Sequence, residues 1–146
     1  MKIWFDMDGT IADLYGVFGW LEALIALETR PYAEAKGIGN LSLIARYLNK
    51  AQANGHEIGI ISWTSKNGTA EYNEAVAETK RAWLHEHLRS VTWDQIKVVP
   101  YGTDKLEATG GGILFDDEER NRIGWGEGAY TPDRIVEILK NLAEKA

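Results

Sequence analysis

Two short apolar runs, Ile3-Trp4-Phe5 and Ile113-Leu114-Phe115, each give way abruptly to a pair of aspartates, Asp6 with Asp8 and Asp116 with Asp117. A strand that is apolar on both faces must be covered on both faces, which is the condition of a strand inside a parallel sheet. Glu57 to Ser62 repeats the pattern and ends in the hydroxyls of Ser62, Thr64 and Ser65; Ile96 to Val99 repeats it up to Pro100. Helical spacing fills the gaps. Leu41, Ile44, Ala45 and Leu48 predict a helix ending at Asn54-Gly55, and Val76, Lys80, Trp83, Leu84 and Leu88 predict another. A short helix around Thr103 to Ala108 precedes Gly110-Gly111-Gly112, and Thr131-Pro132 opens a C-terminal helix carrying Ile135, Ile138, Leu139 and Leu142.

This alternation predicts an α/β fold, a Rossmann-like three-layer α/β/α sandwich with a mainly parallel sheet, in one domain over 1–146. One stretch, from about Tyr15 to Asn40, does not fit a strand-helix unit. Val17, Phe18, Leu21, Leu24 and Ile25 recur there at helical spacing, and Arg30-Pro31 closes that helix, so a small helical insertion over the top of the sheet is expected. The chain has no cysteine, which excludes a disulfide framework, a thiolate zinc site and thiol catalysis. Its 16 Lys and Arg against 22 Asp and Glu leave a net charge of −6, which argues against a long nucleic acid as partner. No apolar stretch is long enough for a membrane span or a secretory leader, and the expected location is the cytoplasm.

In open parallel sheets ligands bind beyond the carboxyl ends of the strands, so Asp6, Asp8, Ser62, Asp116 and Asp117 should meet at one edge. Gathered carboxylates raise one another's pKa or recruit a cation. With oxygen ligands alone, a hard ion such as Mg²⁺ is favoured. Hydroxyls at Ser62 and Thr64, with the ammonium of Lys105, add what is needed to hold a phosphoryl group. Asp6 and Asp8, two residues apart, supply a nucleophile and a proton donor.

Asp6-Met7-Asp8-Gly9-Thr10, Ser62, Lys105 and Asp116-Asp117 together resemble the four ordered motifs of the haloacid dehalogenase superfamily of phosphatases. The resemblance implies that Asp6 is the nucleophile that forms an aspartyl-phosphate. It makes Asp8 the general acid and base, and Ser62 and Lys105 the phosphate-side groups. Asp6, Asp8 (through its backbone carbonyl), Asp116 and Asp117 hold Mg²⁺ in this reading. Gly9, Thr10, Trp63 and Thr64 are expected to contact substrate, and Thr64 is the alternative to Ser62 as phosphate-binding hydroxyl. Ala12-Asp13, Gly16, Phe18 and Lys80 with Trp83-Leu84 are similar to the 5′(3′)-deoxyribonucleotidase branch, which implies a small phosphomonoester, a nucleotide in particular, as substrate.

The same motifs admit other substrates: a 3′-phosphorylated polynucleotide end, a sugar phosphate or a phosphoprotein. The fold alone also admits a non-catalytic binding module. Asp13 and Asp104 read as helix caps, Glu118-Glu119 as a helix start, and Trp4 and Trp83 as core. Trp63 is the favoured stacking residue, with Tyr15, Phe18 and Trp20 nearby in the insertion. His56, His85 and His87 show no metal-ligand spacing.

Overall fold

The computed structural model describes residues 1–144. The chain begins with β1 (Lys2–Phe5), then β2 (Ala12–Asp13), a 3-10 turn, α1 (Trp20–Ile25), α2 (Arg30–Glu34) and β3 (Lys36–Gly37). It continues through α3 (Leu41–Ala53), β4 (Glu57–Trp63), α4 (Ala70–His87), β5 (Gln95–Val99), α5 (Lys105–Thr109) and β6 (Ile113–Phe115). It ends with α6 (Glu119–Trp125), β7 (Ala129–Tyr130), a second 3-10 turn and α7 (Ile135–Glu144).

The main sheet runs β5-β4-β1-β6-β7 with every neighbouring pair parallel. The expected α/β sandwich is what the chain adopts. Alternate residues of β1 serve opposite layers: Ile3 and Phe5 pack with α3, α4 and α7 through Leu48, Leu84 and Leu139, whereas Trp4 faces Leu114, Ile61 and Trp125 of α6. Gly59 is required beside Trp4, since a Cβ there would lie 2.5 Å from the indole ring. The order of the sheet reverses direction between β1 and β6. A crevice opens beyond the strand ends at such a switch point, and Asp6 and Asp116 leave the sheet on its two sides.

Several expectations change in the insertion. Gly19 sits at φ +72° and delays α1 to Trp20, so Val17 and Phe18 are not helical and Phe18 is 97% exposed. Arg30-Pro31 opens α2 instead of closing a helix, because a proline in the first turn gives up an N–H that has no partner there. The ends of the insertion pair with each other, Ala12 opposite Gly37 and Asp13 opposite Lys36, in an antiparallel ladder. Its far side is tied to α4: the Tyr72 hydroxyl donates to the Glu28 carbonyl at 2.7 Å and the Trp83 indole to the Ala35 carbonyl at 2.7 Å.

At the other end, Pro132 begins a 3-10 turn that leads into α7, and the Thr131 hydroxyl bonds Asp133 instead of capping the backbone. Asp13 and Asp104 do act as caps, accepting from Gly16 N at 3.1 Å and from Leu106 N at 3.0 Å. Among the described residues, no helix is long and apolar enough to cross a membrane.

Candidate active site

Asp6, one residue past β1, is 7% exposed and both of its carboxylate oxygens are engaged. Oδ1 accepts from Lys105 Nζ at 3.0 Å and Oδ2 from the Thr10 hydroxyl at 3.1 Å. Lys105, the first residue of α5, also donates to Asp116 Oδ2 at 2.7 Å and so bridges the ends of β1 and β6. Burial alone would lower the Lys105 pKa, but Asp6 and Asp116 outweigh it and hold the ammonium above its usual range. Asp116 is fully buried. Its Oδ1 accepts from Glu118 N at 2.9 Å and its Oδ2 from Asn121 Nδ2 at 3.1 Å.

Asp117 completes the cluster: one carboxylate oxygen from each of Asp6, Asp116 and Asp117 lies within 4.8 Å of the other two. Lys105 supplies one positive charge to three carboxylates, and the deficit appears in the titration of Asp116 and Asp117. Burial and then Asp6 push Asp116 up to about 6 and Asp117 up to about 8. A hard divalent cation would remove that deficit, so the donor set fits Mg²⁺.

The sign follows from linkage. Between about pH 4 and pH 8 the folded metal-free chain keeps protons on Asp117 and Asp116 that the unfolded chain has released, so stability falls as pH rises through that window. In EDTA the melting temperature is expected to drop from pH 5 to pH 8, and Mg²⁺ should raise it more at pH 8 than at pH 5. A scanning-calorimetry series at both pH values checks this; equal Mg²⁺ shifts would count against a metal at this cluster.

Asp8 stands apart from that triplet. Its Oδ2 accepts from Lys80 Nζ at 2.9 Å, and burial, partly offset by Lys80, raises its pKa. Any hold of Asp8 on a metal would therefore fall to its backbone carbonyl. Lys80 is 1% exposed and donates as well to Ser62 Oγ and the Trp63 carbonyl, each at 2.7 Å. The sequence placed Lys80 on an apolar helix stripe with Val76, Trp83 and Leu84. A lysine in that company is the sequence signal for a buried partner.

The fold places the remaining expected residues at different depths. Ser62 is 1% exposed and its hydroxyl is held by Lys80, so it lies beneath the site, whereas Thr64 lines the cavity. Thr10, also 1% exposed, does not contact the cavity either; its hydroxyl joins Asp6 to Asp117, accepting from Asp117 N at 3.2 Å. Gly9 is a packing residue. It sits at φ +82°, and a Cβ there would come within 2.2 Å of Asp117 Oδ2.

Trp63 does face the cavity, with its indole N–H donating to the Thr103 carbonyl at 2.9 Å. The Lys105 and Arg120 cations stand 5.2 and 4.8 Å from its ring. Tyr15 and Trp20 reach the cavity from the insertion; Phe18 does not.

The cavity above these groups has a volume of about 500 Å³, within the range usual for small ligands. No family model matches the chain, and neither does any curated protein sequence. Among solved structures it is similar to D,D-heptose 1,7-bisphosphate phosphatase from Burkholderia thailandensis, at 13% identity, over 99% of each chain, with a TM-score of 0.58. That likeness establishes the fold, a Rossmann-like α/β sandwich.

Proposed function

We propose that the protein is a Mg²⁺-dependent phosphomonoesterase of the haloacid dehalogenase type, acting on small phosphate esters through an aspartyl-phosphate on Asp6. One observation carries the reading. A buried carboxylate at the switch point is oriented through both oxygens, by Lys105 and Thr10, and a second acid, Asp8, opens into the same cavity two residues on. The phosphatase named for the similar structure supports the same class of chemistry on this fold.

In this reading an Asp6 oxygen attacks phosphorus, the ester oxygen leaves, and Asp8 in its acid form gives it a proton. Burial keeps the Asp8 pKa raised, which favours that form. Asp8, now a carboxylate, then takes a proton from the water that attacks the aspartyl-phosphate, and phosphate and the free Asp6 carboxylate are regenerated. Thr64 takes the role of phosphate-binding hydroxyl, since it and not Ser62 lines the cavity. Asp6, Asp116 and Asp117, with the backbone of Asp8, would hold Mg²⁺, which when bound offsets charge on the phosphoryl oxygens. Lys80 is a positioning residue that directs Asp8.

The segment between β2 and β3 serves as a small cap, and Trp63 beside the strand end is the residue that would stack a nucleotide base. A panel of phosphomonoesters, among them deoxynucleoside monophosphates, sugar phosphates and aryl phosphates, tests the reading. Release of inorganic phosphate is expected with Mg²⁺ and is expected to vanish in EDTA. Inertness toward the whole panel at every metal and pH tried would sink the catalytic reading and leave a binding module.

A further inference from the structure

The cavity has two unlike parts. The hydrogen-bonding side chains on the carboxylate side are Thr64, Ser65, Lys66 and Asn67, directly after the end of β4, with Lys105, Glu118 and Asn121. The wall contributed by the insertion is apolar: Trp20, Leu21, Leu24 and Ile25 of α1, then Leu27. Apart from the phenols of Tyr15 and Tyr32 and the Trp20 indole, that wall offers no hydrogen-bonding side chain. Leu21 is 50% and Ile25 74% exposed, and Tyr15, Leu27 and Tyr101 on the same cavity are also open to solvent. Among the described residues, five of the nine large exposed apolar ones therefore sit around one opening, where isolated exposure would scatter them. Such grouping marks a binding surface. Because the wall belongs to the cavity that holds Asp6 and Asp8, what covers it is the rest of a molecule whose phosphate reaches those residues.

Resting on the phosphomonoesterase reading, we propose that the α1 wall selects the leaving group and that the preferred ester is that of an apolar alcohol, aryl or branched alkyl, in preference to a sugar or other polyol. A leaving group rich in hydroxyls would exchange water for aliphatic side chains that cannot hydrogen-bond, whereas an apolar one leaves water behind. A nucleotide falls between them, its base offering apolar faces and polar edges. The preference departs from the heptose ester named for the similar structure, where only the fold is shared.

Binding and turnover test this separately. Titration calorimetry with Mg²⁺ is expected to give benzylphosphonate at least about tenfold tighter binding than 2-hydroxyethylphosphonate. The Leu21→Asn/Ile25→Asn variant should bring that ratio toward one; both residues are exposed, so the fold is expected to survive, as circular dichroism would check. In turnover, kcat/KM for benzyl phosphate should exceed that for glucose 6-phosphate, likewise the ester of a primary alcohol, by a similar factor, and the variant should lose the difference through KM.

Hydrolysis indifferent to the leaving group, or unaltered in the variant, would overturn the proposal while leaving the phosphatase reading intact. Selective phosphonate binding with no ester hydrolysed would leave the wall standing and remove the phosphatase reading. A concentration-dependent dimer that the variant abolishes, with phosphonate affinities unaltered, would assign the wall to a second copy of the chain and overturn the proposal.

Discussion

Asp6→Asn is expected to lower turnover by about 10⁴-fold or more without loss of the fold. An amide is a poor nucleophile toward phosphorus, and it has one acceptor oxygen where the carboxylate has two. Either Lys105 or Thr10 therefore loses its acceptor at Asp6, each now within 3.1 Å. Stability should move the other way. Asp6 contributes to the raised pKa of Asp116 and of Asp117, so removing its charge relaxes the crowding that costs the metal-free chain stability near neutral pH. The variant is thus expected to melt no lower than the parent in EDTA at pH 8, and to gain less from added Mg²⁺. Phosphate release in saturating Mg²⁺, followed beside calorimetry on the same samples, separates lost chemistry from lost structure. Near-normal activity would exclude the aspartyl-phosphate route; normal Mg²⁺ stabilisation would exclude Asp6 as a metal ligand.

That a single residue can be singled out in this way owes much to the sequence. The runs Ile3-Trp4-Phe5 and Ile113-Leu114-Phe115 are buried strands because no polar side chain interrupts them, and the change to aspartate locates the strand ends to within a residue. The switch point between β1 and β6 follows from chain order once the sheet is parallel, which brings Asp6 and Asp116 together from far apart in the chain. What stayed hidden were elements with too few residues to show a period. The ladder of β2 and β3 is two residues long on each side, as is β7.

At the site, residue type located the hydroxyls near the strand end but not which way each points. Alternation along a strand would put Ser62 and Thr64, two residues apart, on the same face, but β4 ends between them at Trp63. The hydroxyl of Ser62 meets Lys80 beneath the floor, while Thr64, just past the strand, reaches the cavity. Thr10 and Gly9 look like loop residues free to meet a ligand, yet the packing of Asp117 over them uses both. Lys80 stood out in the sequence, beside Trp83-Leu84 and as a charge on a buried stripe, but its partner, 72 residues earlier in the chain, did not.

Lys105 is the residue whose removal should cost both stability and chemistry. Lys105 is 4% exposed and its ammonium lies 3.0 Å from Asp6 and 2.7 Å from Asp116, so Lys105→Met leaves two buried carboxylates facing each other without their cation. Breaking a buried ion pair from one side costs about 3–5 kcal/mol, well above the value of a pair at the surface. The metal-free variant is therefore expected to melt far below the parent at pH 8. It should recover part of that difference at pH 5, where protonation of the carboxylates replaces the lost charge. Mg²⁺ should stabilise the variant more than the parent, because the cluster it meets is one charge more negative.

Turnover should not follow stability back. A divalent ion among Asp6, Asp116 and Asp117 can restore the charge balance, but it cannot direct Asp6 Oδ1 from the α5 side as Lys105 does. A loss of about 10²–10³-fold in kcat is expected to persist at Mg²⁺ concentrations that restore the melting temperature. Full recovery of kcat with Mg²⁺ would reduce Lys105 to a structural counter-ion. A variant as stable as the parent in EDTA at pH 8 would mean that the bridge between the two strand ends contributes nothing to the fold.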